Sequence, residues 1–327
     1  MSDELRFSAN INTFNACADR YVLSGYGERL TTDQLIDAAS HVEGLSGVEV
    51  VGTWHVNDSN VEQVRKQIGD AGLEVTCVTP DIWASSKWGW GSFAANDPGV
   101  RHDAIHEVKK SMEWAKQLNC EVIDLWFGQD GYDYPFQADY YAVWDRIIEG
   151  TLECAEYLPD VRLVLEYKPK EPRTHCFIGT VGNTLLLIEK VNKPNVGGMI
   201  DVGHALMAYE DVAESAALLQ HFGQKLFYMH FNDNWRLWDD DMTAGSVHTI
   251  ELLELLYWLD RVHYTGWYAL DIFPYREDGV RAATESIKWI QGLHRMLDRI
   301  GRDRIAGVIA SGDAMSASEM LREALVG

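Results

Sequence analysis

VRLVLEYKP (161–169), VGGMIDVGH (196–204), LFYMHFNDN (226–234) and GWYALDIFP (266–274) share one grammar: an apolar run, a polar residue, then a loop. The runs are of strand length, and the polar residues at their exits are Glu166, Asp201, His230 and Asp271. A charge at the end of a buried strand is costly unless something pairs with it. Two aspartates, a glutamate and a histidine converging from four strand ends can hardly neutralise one another. The pattern therefore points to a divalent metal held among them.

Working outward, strand-like and helix-like segments alternate along the whole chain. Further strands are expected at 7–14, 48–54, 74–82 and 121–128, with amphipathic stretches at 31–43, 58–71, 98–118, 137–158, 180–192, 210–220, 247–263 and 279–299. Thr31–Thr32–Asp33 and Asn57–Asp58–Ser59 supply helix-start signals. Eight β-then-α units predict an α/β fold, a closed (β/α)8 TIM barrel with its chemistry at the C-terminal ends of the strands. A doubly wound open sheet would carry a Gly-rich turn after the first strand, and NTFNACADR (12–20) is not one. No Pro-, Gly- or Ser-rich linker divides the chain. One catalytic domain is expected over 1–300, followed by a tail over 301–327 with one short helix in SASEMLREALVG (316–327).

Composition narrows the function classes. The 327 residues are 46% hydrophobic, enough for a large core, and carry a net charge of −22 from 50 acids against 28 Lys and Arg. Such a surface repels nucleic-acid phosphates and anionic membranes. The five cysteines, Cys17, Cys77, Cys120, Cys154 and Cys176, form no C-x-x-C pair and read as reduced thiols. MSDELRFSAN lacks the marks of a signal peptide, and no apolar run reaches the ~18 residues of a spanning helix. A cytoplasmic protein with no membrane or nucleic-acid partner is the expectation.

Period-two alternation puts Glu166 and Lys168 on one face of their strand, pointing into the barrel mouth. His204, three residues after Asp201, is a candidate ligand for a second metal. Asp239 and Asp241 belong to an acidic run that ordinarily reads as a solvated loop. The nearby Trp235 and Trp238 are too apolar for a purely solvated one. Arg276 is placed to offset charge near Asp271.

Taken together, these residues resemble the xylose isomerase family of metal-dependent sugar isomerases, over about residues 50–300. LEYKPKEPR (165–173), GSFAANDPGVR (91–101), VGHALMA (202–208) and LWFGQDGYD (125–133) are similar to that family's motifs, and TWHVND (53–58) carries its H-x-x-D pair as His55 and Asp58. The Glu–Asp–His–Asp set, LWFGQDGYDYPFQAD (125–139) and WDDDM (238–242) are similar to L-rhamnose isomerases instead. The resemblance implies an aldose–ketose isomerase that moves a hydrogen between C1 and C2 of an unphosphorylated sugar. It implies a structural metal on Glu166, Asp201, His230 and Asp271, and a catalytic metal on Glu166, His204, Asp239 and Asp241. Lys168 would bind the carbonyl end of the sugar. His55, oriented by Asp58, would move a proton in ring opening. Trp54, Trp88 and Trp126 would form an apolar wall. One imidazole in each oxygen-rich set favours Mn2+, with Co2+ or Mg2+ as alternatives. A homo-oligomer, dimer or tetramer, is implied by family.

Three other functions compete. A one-metal ketose epimerase on the same barrel would need no second metal set. A DNA-repair endonuclease of the same superfamily would want a basic groove, which 28 Lys and Arg against 50 acids do not supply. A partner-dependent enzyme on modified sugars would leave the pure chain inactive on free aldoses.

Overall fold

A computed structural model describes residues 5–327. Eight parallel strands close into a barrel: β1 (Phe7–Asn10), β2 (Leu45–Val51), β3 (Glu74–Thr79), β4 (Val122–Trp126), β5 (Arg162–Glu166), β6 (Val196–Asp201), β7 (Leu226–Phe231) and β8 (Tyr268–Leu270). Each strand neighbours the next in sequence, and β1 pairs with β8 to close the ring. The chain therefore has the TIM-barrel fold its sequence predicts. A two-stranded ribbon, Gly131–Tyr132 with His175–Cys176, ties the loop after β4 to the loop after β5.

Helices α1 (Thr32–Ser40), α2 (Val61–Asp70), α3 (Pro98–Gln117), α4 (Tyr140–Tyr157), α5 (Val181–Val191), α7 (Val212–His221), α8 (Thr249–Arg261) and α9 (Gly279–Ile300) cover the outside of the barrel, while the short, buried α6 (Val202–Met207) follows β6 at the mouth. Several of their starts are capped by side chains. Thr31 and Gln34 form a reciprocal capping box at α1, and Asp97, Asp139 and Asp278 cap α3, α4 and α9. The apolar core splits in two. A large cluster fills the space between strands and helices, and a small one, Cys77, Val164, Met199, Tyr228, Trp267 and Ala269, plugs the barrel itself. That plug leaves the C-terminal mouth as the open end of the barrel.

Two expectations needed correction. The first strand stops at Asn10, because residues Ile11–Phe14 turn into a 3-10 helix capped by the Asn10 side chain. The tail holds two helices rather than one, α10 (Arg302–Ser311) and α11 (Ala314–Val326), both packed on α9. Gly301 at φ 87° and Gly312 at φ 64° make the two breaks, a conformation that favours glycine. The polar stretch after α9 hides its helix because only Ile305 of α10 is buried. No helix among the described residues is long and apolar enough to cross a membrane.

Candidate metal centre

Three strand ends and one loop deliver the first four residues. Glu166 and Asp201 are the last residues of β5 and β6, His230 lies one residue before the end of β7, and Asp271 directly follows β8. One ligand atom from each lies within 4.8 Å of the others. Asp201, His204 and Asp239 meet the same test as a second set. Asp201 is therefore common to both. It also caps α6, accepting from the backbone N–H of His204 at 2.9 Å, so one aspartate fixes where the second set begins.

His230 is turned by its other neighbour. Its Nε2 lies 3.0 Å from Glu49 Oε2, while Nδ1 faces Glu166 Oε1 at 3.2 Å. A hydrogen on Nε2 donating to Glu49 leaves Nδ1 free to ligate. Asn232 does similar work for Asp201, donating to its Oδ2 at 2.7 Å and accepting from the N–H of Gly203 at 2.7 Å. A Cβ on Gly203 would come within 2.8 Å of both Asn232 Oδ1 and Asn234 Nδ2, so the backbone passes there only as glycine. Asn10 donates to Asp271 Oδ1 at 3.1 Å.

The acidic loop after β7 is anchored, not free. Asp233 accepts from the backbone N–H groups of Val247 and His248 and pairs with His248 Nδ1 at 2.8 Å. Asp241 bends at φ 46°, and its carbonyl accepts from Phe273 N–H at 2.9 Å. This carries Asp239 and Asp241 into the cleft, where Lys168 Nζ meets Asp239 Oδ2 at 2.6 Å. Asp241 lines the cleft but belongs to neither convergent set. Asp240 turns back to accept from the N–H of Trp235.

The electrostatics are those of crowded, buried acids. Burial raises Asp201 to about 6 and Asp271 to about 7, with neighbouring carboxylates adding to it. The same two causes push Asp124 and Asp241 well above the carboxylate range. Burial works against the charge on His204, but Asp201 and Asp239 lift it to about 9. His230 is likewise raised by Glu49 and Glu166 against its burial. Lys168 holds its proton because Asp239 and Asp241 outweigh desolvation, and it keeps Asp239 ionised in return.

These residues fit a divalent cation. Among the described residues, the cationic groups facing Glu49, Asp124, Glu166, Asp201, Asp239, Asp241 and Asp271 are Lys168 and two imidazoles. The buried His204 Nδ1 and Asp239 Oδ1 have no hydrogen-bond partner among the described residues. Orphaned polar atoms at such depth want a ligand.

The wall of the cleft differs from expectation at one position. Trp54, Trp83 and Trp126 form a chain of rings, with centroids 5.7 Å and then 5.2 Å apart, and all three line a cavity of 220 Å3. Trp88 is not part of it. It is buried at the end of the 3-10 turn Ser86–Trp88, ahead of a loop whose Ser92, Phe93 and Ala94 N–H groups are gathered by Asp130. Spacing alone does not distinguish Trp83 from Trp88, because both lie in one irregular loop.

The pairing of His55 with Asp58 is also corrected. Asp58 instead accepts from Trp114 Nε1 at 2.7 Å and meets Lys110 at 3.2 Å. His55 Nδ1 accepts from the N–H of Val51 at 2.9 Å, and the ring lines an adjoining cavity with Trp54, Phe273 and Tyr275. Burial pulls His55 down to about 4, so its imidazole is neutral near neutrality. Sequence reasoning missed Glu49, Asp124, Asn10, Asn232 and Trp83. Glu49 in GVEVV and Asp124 in VIDLW carry a visible signal, an acid inside an apolar strand.

Comparisons with known proteins agree with this fold. A xylose isomerase of Thermus thermophilus is 29% identical over 234 residues, which is 69% of this chain and 60% of that protein. The chain thus spans less than two thirds of that relative's length. Among solved structures, an L-ribulose 3-epimerase superposes with TM-score 0.70 at 14% identity, covering 91% of this chain and 98% of the other. A 3-keto-D-glucoside 4-epimerase of E. coli superposes with TM-score 0.68 at 16% identity, covering 88% and 100%. Likeness at that identity speaks for the fold. The sequence pattern of the xylose isomerase-like TIM barrel matches residues 36–293. A match over so much of the sequence places the chain in the xylose isomerase-like TIM barrel family.

Proposed function

We propose that this protein is a metal-dependent aldose–ketose isomerase acting on an unphosphorylated monosaccharide with two divalent metals. The observation that carries the reading is the second ligand set, Asp201, His204 and Asp239, beside the first. A one-metal enzyme has no use for it. Glu166, Asp201, His230 and Asp271 would hold one cation, and Asp201, His204 and Asp239 the other, with Glu166 Oε1 3.4 Å from His204 Nδ1 in reach of both. Oxygen-rich sets with one imidazole each favour Mn2+, with Co2+ or Mg2+ as substitutes.

Bound cations of this kind polarise a carbonyl and lower the pKa of a hydroxyl. The chain's own residues do the rest. Lys168 supplies an N–H donor and a fixed positive charge where oxygen gains charge during the C1–C2 hydrogen shift. Trp54, Trp83 and Trp126 give the apolar face of a sugar a surface to lie on and keep water from the reacting carbons. The 220 Å3 cavity is smaller than the ~300–1,000 Å3 of drug-sized sites, which suits a monosaccharide. His55, neutral and with Nε2 as its free nitrogen, would serve ring opening as a hydrogen-bond donor rather than as half of an acid–base pair. The same proposal includes a cytoplasmic homo-oligomer, dimer or tetramer, in which the exposed Trp90, Tyr134, Phe136 and Tyr141 would find cover.

A one-metal ketose epimerase is the second reading, and one observation favours it. Lys168 occupies Asp239 at 2.6 Å, where the second cation would sit. Asp239→Asn separates the two. An isomerase loses ketose formation by ~10² or more and binds one Mn2+ fewer. An epimerase keeps its turnover.

A further inference from the structure

We propose that Asp124 is a specificity-determining residue that hydrogen-bonds one sugar hydroxyl at the floor of the cleft. This rests on the isomerase reading and deepens it. Asp124 lies in β4, paired across from Val164, two residues before Trp126 and on the same face. It therefore sits one layer deeper in the barrel than the aromatic wall, and it lines the same cavity. It is 3% exposed.

Its partners set it apart from the other acids of the cleft. Glu166 has His230, Asp201 has Asn232, Asp239 has Lys168 and His204, and Asp271 has Asn10. Asp241 has Asn232 at 3.4 Å. Asp124 has Thr79 alone, whose Oγ1 donates to Oδ2 at 3.2 Å. Its Oδ1 has no partner among the described residues, and it belongs to neither convergent metal set. A buried carboxyl oxygen without a partner costs stability unless a ligand satisfies it.

A hydroxyl both donates and accepts, so it suits Asp124 in either protonation state. The cations would hold the oxygens at the reacting end of the sugar, and the tryptophans would cover its apolar face. What remains for Asp124 is a hydroxyl on the stretch of chain that points down the barrel. The substrate class is thus an aldose carrying that hydroxyl, selected against its deoxy counterpart. A site built to bond a hydroxyl rejects the analogue lacking it more strongly than an apolar pocket rejects an extra one.

The test uses the Mn2+-loaded full chain. The best aldose is compared with its single-deoxy analogues at each position beyond C2, in wild type, Asp124→Leu and Asp124→Ala. Wild type should lose ~10- to 100-fold in kcat/KM on one analogue. Asp124→Ala should lose a similar factor on the parent sugar but little more on that analogue, with Mn2+ affinity by calorimetry unchanged. Asp124→Leu keeps the branched side-chain shape without a polar atom and covers the case in which the alanine variant fails to fold. Equal losses on the parent and every analogue would mean that Asp124 holds only water or structure, and would overturn the proposal. So would an Asp124→Leu enzyme with the wild-type pattern of discrimination, because leucine offers the hydroxyl no partner. No turnover of any aldose by wild type would instead sink the isomerase reading itself.

Discussion

Lys168 Nζ lies 2.6 Å from Asp239 Oδ2, on the carboxylate that also meets His204 Nε2 at 2.9 Å. The lysine thus stands where a second cation would be held, and a cation arriving there must share Asp239 with it or displace it. In the proposed isomerase, displacement would free the ammonium to reach the sugar oxygen and would couple metal loading to readiness for chemistry. Lys168→Met should therefore bind Mn2+ at least as tightly as wild type, because a competing charge is gone. Its turnover should fall by ~10² or more, the scale of losing one donor to a developing oxyanion. Calorimetric titration and steady-state kinetics on one preparation check both halves.

Glu49 Oε2 lies 3.0 Å from His230 Nε2 inside the barrel. Removing its charge while keeping its shape should weaken the first metal site without touching a ligand. Glu49→Gln is expected to cost ~10- to 100-fold in Mn2+ affinity. Competition against a fluorescent chelator measures this, and an unchanged affinity would mean that His230 is oriented without Glu49.

His204 is lifted to about 9 by Asp201 and Asp239 despite its burial, so it carries a proton at neutral pH that a metal must remove. Mn2+ binding at the second site should release about one proton at pH ~7.5, and affinity should rise by up to ~10-fold per pH unit between about pH 6 and 8. Calorimetry in buffers of different ionisation enthalpy reads the proton directly.

Burial lowers His55 from 6.5 to about 4. The unfolded chain therefore binds a proton at this site in the window between those values and the folded chain does not. Stability from His55 is complete above pH 6.5 and is lost as pH falls towards 4, by roughly 3 kcal/mol at full extent. His55→Gln, which can still accept from Val51 N–H, should flatten that part of the acid limb. Urea unfolding of both proteins at about pH 7 and about pH 4.5 gives the difference.

The barrel and the convergence of Glu166, Asp201, His230 and Asp271 were legible because each rests on a local pattern. Glu166, Asp201 and Asp271 all follow an apolar strand, and the strand's period fixes which way each points. His204 and Lys168 were legible by short spacing from Asp201 and Glu166. What the sequence hid were relations across the barrel. Nothing near Glu49 says that it faces His230, 181 positions away. Asp58 stands three residues after His55, yet it turns outward to Trp114 and Lys110. Trp83 and Trp88 share one irregular loop, where no periodicity says which ring joins Trp54 and Trp126 and which is buried in the 3-10 turn.

The most direct test of the proposed two-metal isomerase is ketose formation by metal-stripped protein re-supplied with Mn2+, Co2+ or Mg2+. The aldoses to test are D-xylose, D-glucose, L-rhamnose, D-allose and L-ribose. Metal-dependent ketose from at least one of them, strongest with Mn2+ and saturating at two ions per chain, is the expected result. Saturation at two ions with no ketose from any aldose would contradict it, and would leave epimerisation or a modified sugar as the chemistry of this cleft.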